Sequence, residues 1–263
     1  MSNSMLSKTI ATINFKGGVG KTTMTWCLAE LIANYHAVMV FDLDAQMSLT
    51  QAIAGNEGSF RANKFSKWLE TSSQQEKTIY HALKKYVDNS GYSFSSDYIY
   101  KTQRGYDFVP AVEDLYWLDL EASGADRRTI PGFMRSLLGK IGGFKKYDYA
   151  LFDCPPAFTW LSYSVLSCCD LILIPVNPDF YTVGGVYKIF NALIKWIEPF
   201  PKIGLFMNKV KTTIDRKTKA LKMTSETQSY WDEVKEICEG IAEEQNLGIR
   251  CFETPICDRV SIK

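Results

Sequence analysis

Five short segments of this chain are almost continuously apolar, and patterns typical of helices separate most of them. The segments cover residues 9–15, 37–43, 149–153, 171–176 and 203–207. Continuous apolar runs of this length indicate strands of a parallel sheet covered on both faces, because such strands have no solvent-facing side. Strands that alternate with helices are typical of α/β proteins. The sequence therefore predicts an α/β fold with a doubly wound, mostly parallel sheet and helices on both faces.

A helical pattern is clearest after residue 186, where apolar residues recur at steps of three and four. Such a stripe lies on one face of a helix that packs against the sheet. Its members are Val186, Ile189, Phe190, Leu193, Ile194 and Ile197. Residues 55–105 are rich in Ser, Tyr and Lys, and only residues 77–87 look helical. We interpret this region as an elaboration within a single domain that spans residues 1–263.

Composition narrows the classes of protein to which the chain can belong. Of its 263 residues, 46% are hydrophobic and 22% are charged, which is ordinary for a soluble globular protein. The net charge of +1 argues against a surface given over to nucleic acid, yet it permits a local basic patch. The N-terminal segment has no apolar signal core, and no window approaches the ~18 apolar residues of a membrane span. We therefore expect a cytoplasmic protein.

A glycine-rich turn between the first strand and the first helix carries the main chemical signal. Glycines let backbone N–H groups converge on phosphate oxygens, and the start of a helix adds partial positive charge. The Lys21 ammonium would contact the β- and γ-phosphates, and the Thr22 hydroxyl is a natural Mg²⁺ ligand. The predicted nucleotide-binding residues of this phosphate loop are Gly17, Gly18, Val19, Gly20, Lys21, Thr22 and Thr23.

The loop departs from the usual G-x-x-x-x-G-K-[ST] pattern, because Phe15 occupies the first glycine position and an additional lysine, Lys16, follows it. In this feature the chain resembles the ParA/MinD family of deviant Walker A ATPases. In that family the additional lysine reaches across a dimer interface to the phosphates of the partner. The resemblance implies that ATP and Mg²⁺ bind here, that ATP controls dimerisation, and that Lys16 and Lys21 act in ATP hydrolysis.

Two acidic segments extend the resemblance. Residues 42–46, Asp-Leu-Asp-Ala-Gln, follow the second strand and are similar to the switch I motif D-x-D-P-Q. The resemblance implies that Asp44 orients the attacking water and that Asp42 supports the Mg²⁺ shell. Ala45 replaces the usual proline, so the path of the loop stays open. Asp153 follows another apolar run and resembles the Walker B carboxylate, which holds Mg²⁺ through its waters.

The seven cysteines show no C-x-x-C spacing, which favours reduced and mostly buried thiols in a cytosol. A metal cluster shared between two subunits is the alternative that counting leaves open. Cys154 follows Asp153 directly, whereas the related nitrogenase iron protein has its cluster cysteine several residues further on. We therefore interpret Cys154 as a structural thiol.

Later segments match the family as well. Residues 109–115 are similar to its P-A-x-x-D-L segment, and residues 174–180 are similar to the strand and loop beside the ATP site. The resemblance assigns Asn208 and Pro255 to nucleotide binding. An asparagine amide can pair with the edge of adenine. For Asn208, a residue that ends a strand in a turn is the alternative interpretation.

Charge is segregated towards the C-terminal end of the chain. Residues 226–244 carry seven acids against Lys235 alone, whereas Asp215 is the one acid within residues 209–224. Basic side chains on such a segment can contact DNA phosphates without reading sequence, and a solvated surface is the alternative. The candidate DNA-binding residues are Lys209, Lys211, Arg216, Lys217, Lys219 and Lys222.

The resemblance to the ParA branch implies a function for the ATPase. Members of this branch bind nucleoid DNA nonspecifically as ATP-bound homodimers, and a cargo adaptor protein stimulates their slow hydrolysis. The cargo is a plasmid, a chromosome or, in the similar McdA type, a carboxysome. We therefore expect a nucleoid-associated partition or positioning ATPase.

Two other functions remain open from the sequence. One is a MinD-like regulator that associates with membranes, although residues 249–263 contain Pro255 and lack the regular apolar stripe of the amphipathic helix that this would need. The other is a metabolic enzyme of the same superfamily that uses ATP on a small substrate.

Overall fold

The computed structural model describes residues 8–54, 70–71, 76–89, 94–121, 129–143, 147–214 and 221–257. Eight strands form one sheet: β1 (Lys8–Thr12), β2 (Val38–Asp42), β3 (Tyr100–Lys101), β4 (Asp107–Val109), β5 (Tyr149–Asp153), β6 (Leu171–Val176), β7 (Lys202–Met207) and β10 (Ile249–Phe252). Two more strands, β8 (Thr212–Ile214) and β9 (Leu221–Met223), pair with each other in a separate antiparallel ribbon.

The strand order in the sheet is β10-β7-β6-β1-β5-β2-β4-β3. All neighbours are parallel except β3 and β4, which are antiparallel at one edge. All five predicted strands are present. The sequence did not predict β3 and β10, which lie at the edges of the sheet, or β4, which lies next to β3. These strands are two to four residues long, and so short a strand leaves no clear apolar pattern in the sequence.

Helices connect the strands. The α-helices are α1 (Lys21–Ala33), α2 (Ser48–Ala54), α3 (Ile79–Asp88), α4 (Leu118–Glu121), α5 (Thr129–Gly143), α6 (Trp160–Leu166), α7 (Thr182–Trp196) and α8 (Ser225–Gln245). The helical patterns predicted over residues 77–87 and 186–197 correspond to α3 and α7. In α7 the stripe is buried as expected, but Ile194 is 38% exposed and does not belong to it. None of the described helices is long and apolar enough to cross a membrane.

Both faces of the sheet are covered. Along β2, Val38 and Val40 pack into one apolar cluster with Ala29 of α1 and with residues of α2. Met39 and Phe41 point the other way, into a larger cluster that includes the buried stripe of α7. The sequence of a fully buried strand is therefore a continuous apolar run, because each face of the strand contacts a layer of helices. This arrangement confirms the predicted α/β fold.

The sheet brings three strand ends together. Thr12 of β1 lies opposite Asp153 of β5, and Asp153 lies opposite Asp42 of β2. From β1 the chain continues to β2 on one side of the sheet, whereas from the neighbouring β6 it continues to β7 on the other side. A topological switch point therefore lies between β1 and β6. In open α/β sheets, ligands bind at such a point, outside the carboxyl ends of the strands. The glycine-rich turn after β1 lies at this edge.

Of the region predicted as an elaboration, the structure describes residues 70–71, 76–89 and 94–105. Helix α3 packs against α5, where the rings of Tyr86 and Phe133 lie 5.3 Å apart between centroids. The Ile79 N–H donates to the Pro110 carbonyl at 3.0 Å, which ties α3 to the segment after β4. In this part of the region the described elements therefore contact the main sheet and its helices.

Candidate functional site

The turn between β1 and α1 is held by two left-handed glycines and by hydrogen bonds at its base. Gly18 has φ 72° and Gly20 has φ 96°, a region that other residues rarely adopt. The Asn14 side chain accepts from the Lys16 N–H and donates to the Pro175 carbonyl, both at 2.8 Å. These bonds fix the turn to the neighbouring strand β6.

The two lysines of the turn point in different directions. Lys21 begins α1, its side chain is buried, and its ammonium donates to the Lys16 carbonyl at 3.3 Å. Burial lowers the pKa of Lys21, and the nearby carboxylates of Asp153 and Asp44 oppose this effect. The side chain of Lys16, in contrast, is 41% exposed, and its ammonium pairs with the carboxylate of Asp179. Lys21 thus lies among the acids of its own site, whereas Lys16 lies outside them.

The carboxylates of Asp42 and Asp153 have opposite hydrogen-bonding situations. That of Asp42 accepts from the Thr50 N–H at 2.8 Å, the Thr50 hydroxyl at 2.7 Å and the Asp44 N–H at 3.1 Å. Asp153 is 1% exposed, and neither of its carboxylate oxygens has a hydrogen-bond partner among the described residues. A buried carboxylate without a partner is costly unless a cation lies near it. Asp153 therefore fits a Mg²⁺ shell better than Asp42, which anchors the segment after β2.

Burial also affects the proton affinity of this pair. Desolvation raises the pKa of Asp42 to about 6, although its hydrogen bonds to Thr50 and Asp44 oppose the rise. Desolvation raises the pKa of Asp153 as well, and the charge of Asp42 raises it further, whereas the nearby Thr22 hydroxyl and Lys21 ammonium oppose the rise. A cation bound beside the two groups would favour their ionised forms.

The segment after β2 follows a defined path. The Asp44 carboxylate accepts from the Gln46 N–H at 3.0 Å, and the Asp44 carbonyl accepts from the Met47 N–H at 2.8 Å. Ala45, which stands where the family motif has proline, is 7% exposed. The turn formed by these bonds keeps Asp44 half-buried beside the glycine-rich loop. The motif did not predict the path of this loop, and in the structure the hydrogen bonds of Asp44 to Gln46 and Met47 determine it.

A cleft of about 420 Å³ opens beside the glycine-rich loop. It brings together Gly17, Gly18, Gly20, Lys21, Thr22, Thr23 and Asp44, all of them predicted site residues, with Trp26, Pro156 and Lys209. Val19 and Lys16 instead line a second cleft of about 710 Å³, whose wall includes Phe180 and Tyr181. The predicted residues therefore line clefts on two sides of the glycine-rich loop.

Asn208 lies against the glycine-rich loop. Its side-chain N–H group donates to the Val19 carbonyl at 2.7 Å, and a Cβ at Gly20 would lie 2.2 Å from the same nitrogen. Only glycine leaves room for this approach. The segment that contains Pro255 is tied to the end of β7, next to Asn208, since the Ile256 N–H donates to the Met207 carbonyl at 2.8 Å. The assignment of Asn208 and Pro255 to nucleotide binding remains a prediction.

The candidate DNA-binding residues do not form one described surface. The Lys209 ammonium donates to the Gly18 carbonyl at 2.6 Å, so this residue contacts the glycine-rich loop. Lys211 is exposed just before β8, and Lys222 is exposed on β9. The other three candidates, Arg216, Lys217 and Lys219, lie outside the described residues.

Cys154 is fully buried directly after β5. Burial raises the pKa of its thiol far above the ordinary value, and the charge of Asp153 adds to the rise. The group is therefore held as a neutral thiol, which supports its interpretation as a structural residue.

Three contacts at the site had no signal in the sequence. Thr50 anchors Asp42 from eight residues away, and Asp179 binds Lys16 from the segment after β6. Lys209 was grouped with its basic neighbours because only its charge was visible. Each contact depends on tertiary structure, and spacing along the chain does not report such contacts.

Comparisons with known proteins agree with this site. The AAA_31 family model, described as an AAA domain, matches residues 7–202. A ParA family protein from Chlamydia trachomatis is 31% identical over 184 residues, which are 69% of this chain and 63% of that protein. The chromosome partitioning protein ParA of Caulobacter vibrioides is 26% identical over 188 residues, which are 71% of this chain and 62% of its own length.

Among solved structures, apo McdA from Cyanothece is similar with a TM-score of 0.69 and 20% identity, over 96% of this chain and 86% of that one. At this identity the match bears on the fold alone. The family model covers most of the sheet and the whole glycine-rich loop, together with both acidic segments. The chain therefore belongs to the AAA_31 family and is similar to ParA family proteins.

Proposed function

We propose that this chain is an ATP-dependent partition or positioning ATPase. In this proposal ATP joins two copies of the chain, the dimer binds nucleoid DNA nonspecifically, and an adaptor protein on the cargo stimulates slow hydrolysis. The observation that carries the proposal is the difference between the two lysines of the loop. Lys21 is buried among the acids of its own site, whereas Lys16 is exposed and directed away from them.

Lys21 and Lys16 have different tasks in this proposal. The buried Lys21 ammonium, next to Asp44 and Asp153, is positioned to neutralise phosphate charge within its own subunit. The Lys16 ammonium is held by an exposed ion pair with Asp179, and such pairs contribute about 0–1 kcal/mol. A phosphate of a second subunit can therefore replace Asp179 at small cost. This exchange would link the presence of ATP to dimerisation.

The acids of the site support ATP hydrolysis. Asp153, with its unpartnered buried oxygens, and Thr22 are the residues that would hold Mg²⁺. This ion would neutralise charge on the phosphates. Asp44 is held by the Gln46 and Met47 N–H groups beside the cleft, and in this proposal it orients the attacking water. Asp42 keeps this segment in place through its bonds to Thr50 and Asp44.

The relatives favour partition as the use of the ATPase. One similar protein is the chromosome partitioning protein ParA of Caulobacter vibrioides, and McdA shares the fold. The chain matches 63% of the Chlamydia trachomatis relative and 62% of the Caulobacter one, so cargo and adaptor are carried over as a proposal. With a net charge of only +1, contact with DNA must come from a local surface. Lys211 and Lys222, exposed next to β8 and on β9, are its described candidates.

The proposal is tested by the binding of the purified protein to a nonspecific DNA duplex. Binding is measured without nucleotide, with ADP, with ATP and with a non-hydrolysable ATP analogue, each over a series of salt concentrations. We expect binding only with ATP or the analogue, and a steep loss of affinity as salt rises, because released counterions drive contacts to phosphates. Equal binding in all nucleotide states, or none in any state, would remove ATP-gated DNA binding from the proposal.

A further inference from the structure

Lys209 lies at the nucleotide site rather than on a separate basic surface. It directly follows β7, and its ammonium donates to the Gly18 carbonyl across 191 positions of sequence, at 2.6 Å. The neighbouring Asn208 donates to the Val19 carbonyl at 2.7 Å. Two successive residues of one turn therefore hold two successive carbonyls of the glycine-rich loop.

These two bonds determine where the N–H groups of the loop point. In a trans peptide unit the C=O and the following N–H point to opposite sides. When Lys209 holds the Gly18 carbonyl, the Val19 N–H is turned to the side away from Lys209. When Asn208 holds the Val19 carbonyl, the Gly20 N–H is turned away in the same manner. A phosphate loop binds its anion through such N–H groups, so their direction decides whether the loop is ready to bind.

The backbone at Lys209 is itself constrained. Lys209 has φ 54°, in the left-handed region that residues with a side chain rarely adopt. The residues on both sides fix this conformation, because the Asn208 N–H donates to the Val176 carbonyl at 2.7 Å and the Val210 N–H donates to the Ile256 carbonyl at 3.0 Å. Unfavourable backbone of this kind persists where the surroundings enforce it, often at functional sites. Here it directs the Lys209 side chain to the loop.

We propose that Lys209 is a positioning residue of the nucleotide site and not a DNA contact. Its ammonium holds the Gly18 carbonyl so that the loop presents the Val19 N–H to the phosphates of a nucleoside diphosphate or triphosphate. The inference rests on nucleotide binding by this loop, and it is independent of dimerisation and of DNA. Because the backbone of such a loop holds the phosphates that ADP and ATP share, we expect the affinities for both nucleotides to depend on Lys209.

The test compares Lys209→Met with Lys211→Met. Methionine removes the ammonium and keeps an unbranched chain, and Lys211, two residues further on, provides the same loss of charge from the same basic segment. Affinity for ADP with Mg²⁺ is measured by titration calorimetry on the full chain, because ADP binding requires neither dimer nor DNA. A hydrogen bond from a charged donor is worth enough for Lys209→Met to weaken ADP and ATP binding about ten-fold. Lys211→Met should leave both affinities within about two-fold.

Two further measurements separate positioning from a general loss of stability. Lys209→Arg, which keeps a donor, should restore part of the affinity, and the unfolding temperature of the nucleotide-free Lys209→Met protein should equal that of the wild type. At saturating ATP, the salt dependence of DNA binding should lose about one unit of slope per subunit in Lys211→Met and none in Lys209→Met.

Three results would overturn the inference. These are unchanged ADP affinity in Lys209→Met, equal losses of affinity in the Lys209 and Lys211 variants, and a reduced salt slope in Lys209→Met with normal ADP binding. The last result would return Lys209 to the DNA surface. A wild-type protein that binds ADP and ATP but not DNA would contradict the proposed function and leave this inference standing. A wild-type protein that binds neither nucleotide would contradict both.

Discussion

The ammonium of Lys16 is paired with the carboxylate of Asp179 in the same subunit, and it also lies 5.9 Å from the centre of the Tyr181 ring. Asp179 is held in place independently, since its other oxygen accepts from the Tyr181 N–H at 3.1 Å and from the Thr182 hydroxyl at 3.3 Å. Lys16 must therefore leave a fixed partner before it can contact a second subunit. Because the pair is exposed, this step costs little.

The first prediction separates the two lysines of the loop. Lys21→Ala should abolish measurable ATP and ADP binding, because it removes the buried charge that faces the phosphates. Lys16→Ala should bind ADP nearly as well as the wild type but should remain monomeric with a non-hydrolysable ATP analogue. Calorimetry measures the affinities, and light scattering after size-exclusion chromatography measures the mass. Dimerisation that survives in Lys16→Ala would contradict a role of Lys16 across the interface.

A second prediction concerns Asp179. Asp179→Asn removes the charge that competes for Lys16 and keeps an oxygen for the Tyr181 and Thr182 donors. If the two carboxylates of a dimer each oppose closure by a fraction of 1 kcal/mol, the ATP-bound dimer should be tighter by about three- to twenty-fold. Analytical ultracentrifugation over a range of protein concentrations gives this dissociation constant.

Glu30→Gln is the matched control for Asp179→Asn. It breaks the pair between Arg104 and Glu30, whose side chains are exposed by the same 41% and 34% as those of Lys16 and Asp179. This control should leave the dimer unchanged. A weaker dimer in Asp179→Asn would mean that the carboxylate acts in the closed state, and the competition inferred from the structure would then be wrong.

The third prediction concerns the two buried carboxylates. Without nucleotide or Mg²⁺, Asp153→Asn should stabilise the protein by about 1–3 kcal/mol, because it removes a buried charge that is repelled by Asp42, while Asp44 remains as an acid beside the Lys21 ammonium. The same variant should lose the stabilisation that Mg²⁺ adds to the ADP-bound protein. Urea unfolding followed by circular dichroism measures both quantities.

Asp42→Asn serves as the contrasting variant. Its carboxylate accepts hydrogen bonds from Thr50 and Asp44, and an amide NH₂ group placed against one of these donors would lose a bond. Asp42→Asn should therefore destabilise the protein by about 1–3 kcal/mol. If both variants changed stability in the same direction, the difference in hydrogen bonding would not govern the site.

The sequence was informative where a feature is local. The phosphate loop lies within eight consecutive residues, and the buried strands that position it carry an apolar signal on both faces. Edge strands such as Ile249–Phe252 left no such signal, because alternate residues of that strand are exposed. The buried inner strands were therefore predictable from the sequence, whereas the short outer strands of the sheet were not.

Contacts between distant segments were not predictable in the same way. Basic residues near position 209 look alike in sequence, and both Lys209 and Lys211 are exposed, yet Lys209 donates to the Gly18 carbonyl of the loop. What distinguishes them is the left-handed backbone at Lys209, and no property of the lysine itself reports it. The same holds for Asp179, whose motif was recognised but whose partner, Lys16, depends on how β6 is placed beside β1.

The last prediction uses the two left-handed glycines of the loop as a matched pair. Alanine at either position is strained by its positive φ, which costs about 1 kcal/mol. At Gly18 the new Cβ has nothing within 4 Å, whereas at Gly20 it would lie 2.2 Å from the Asn208 amide nitrogen. Gly20→Ala must therefore also displace Asn208 from the Val19 carbonyl and leave a buried amide unpaired. We expect Gly20→Ala to destabilise the protein by about 1–3 kcal/mol more than Gly18→Ala.

Urea unfolding of the nucleotide-free variants measures this difference, and the double variant Gly20→Ala/Asn208→Ala supplies the decisive comparison. Once Asn208 is truncated, the methyl group introduced at position 20 has space. Asn208→Ala should therefore cost far less stability in the Gly20→Ala background than in the wild type. Additive losses would mean that the two residues do not interact. The approach of Asn208 to the loop would then not be the reason for glycine at position 20.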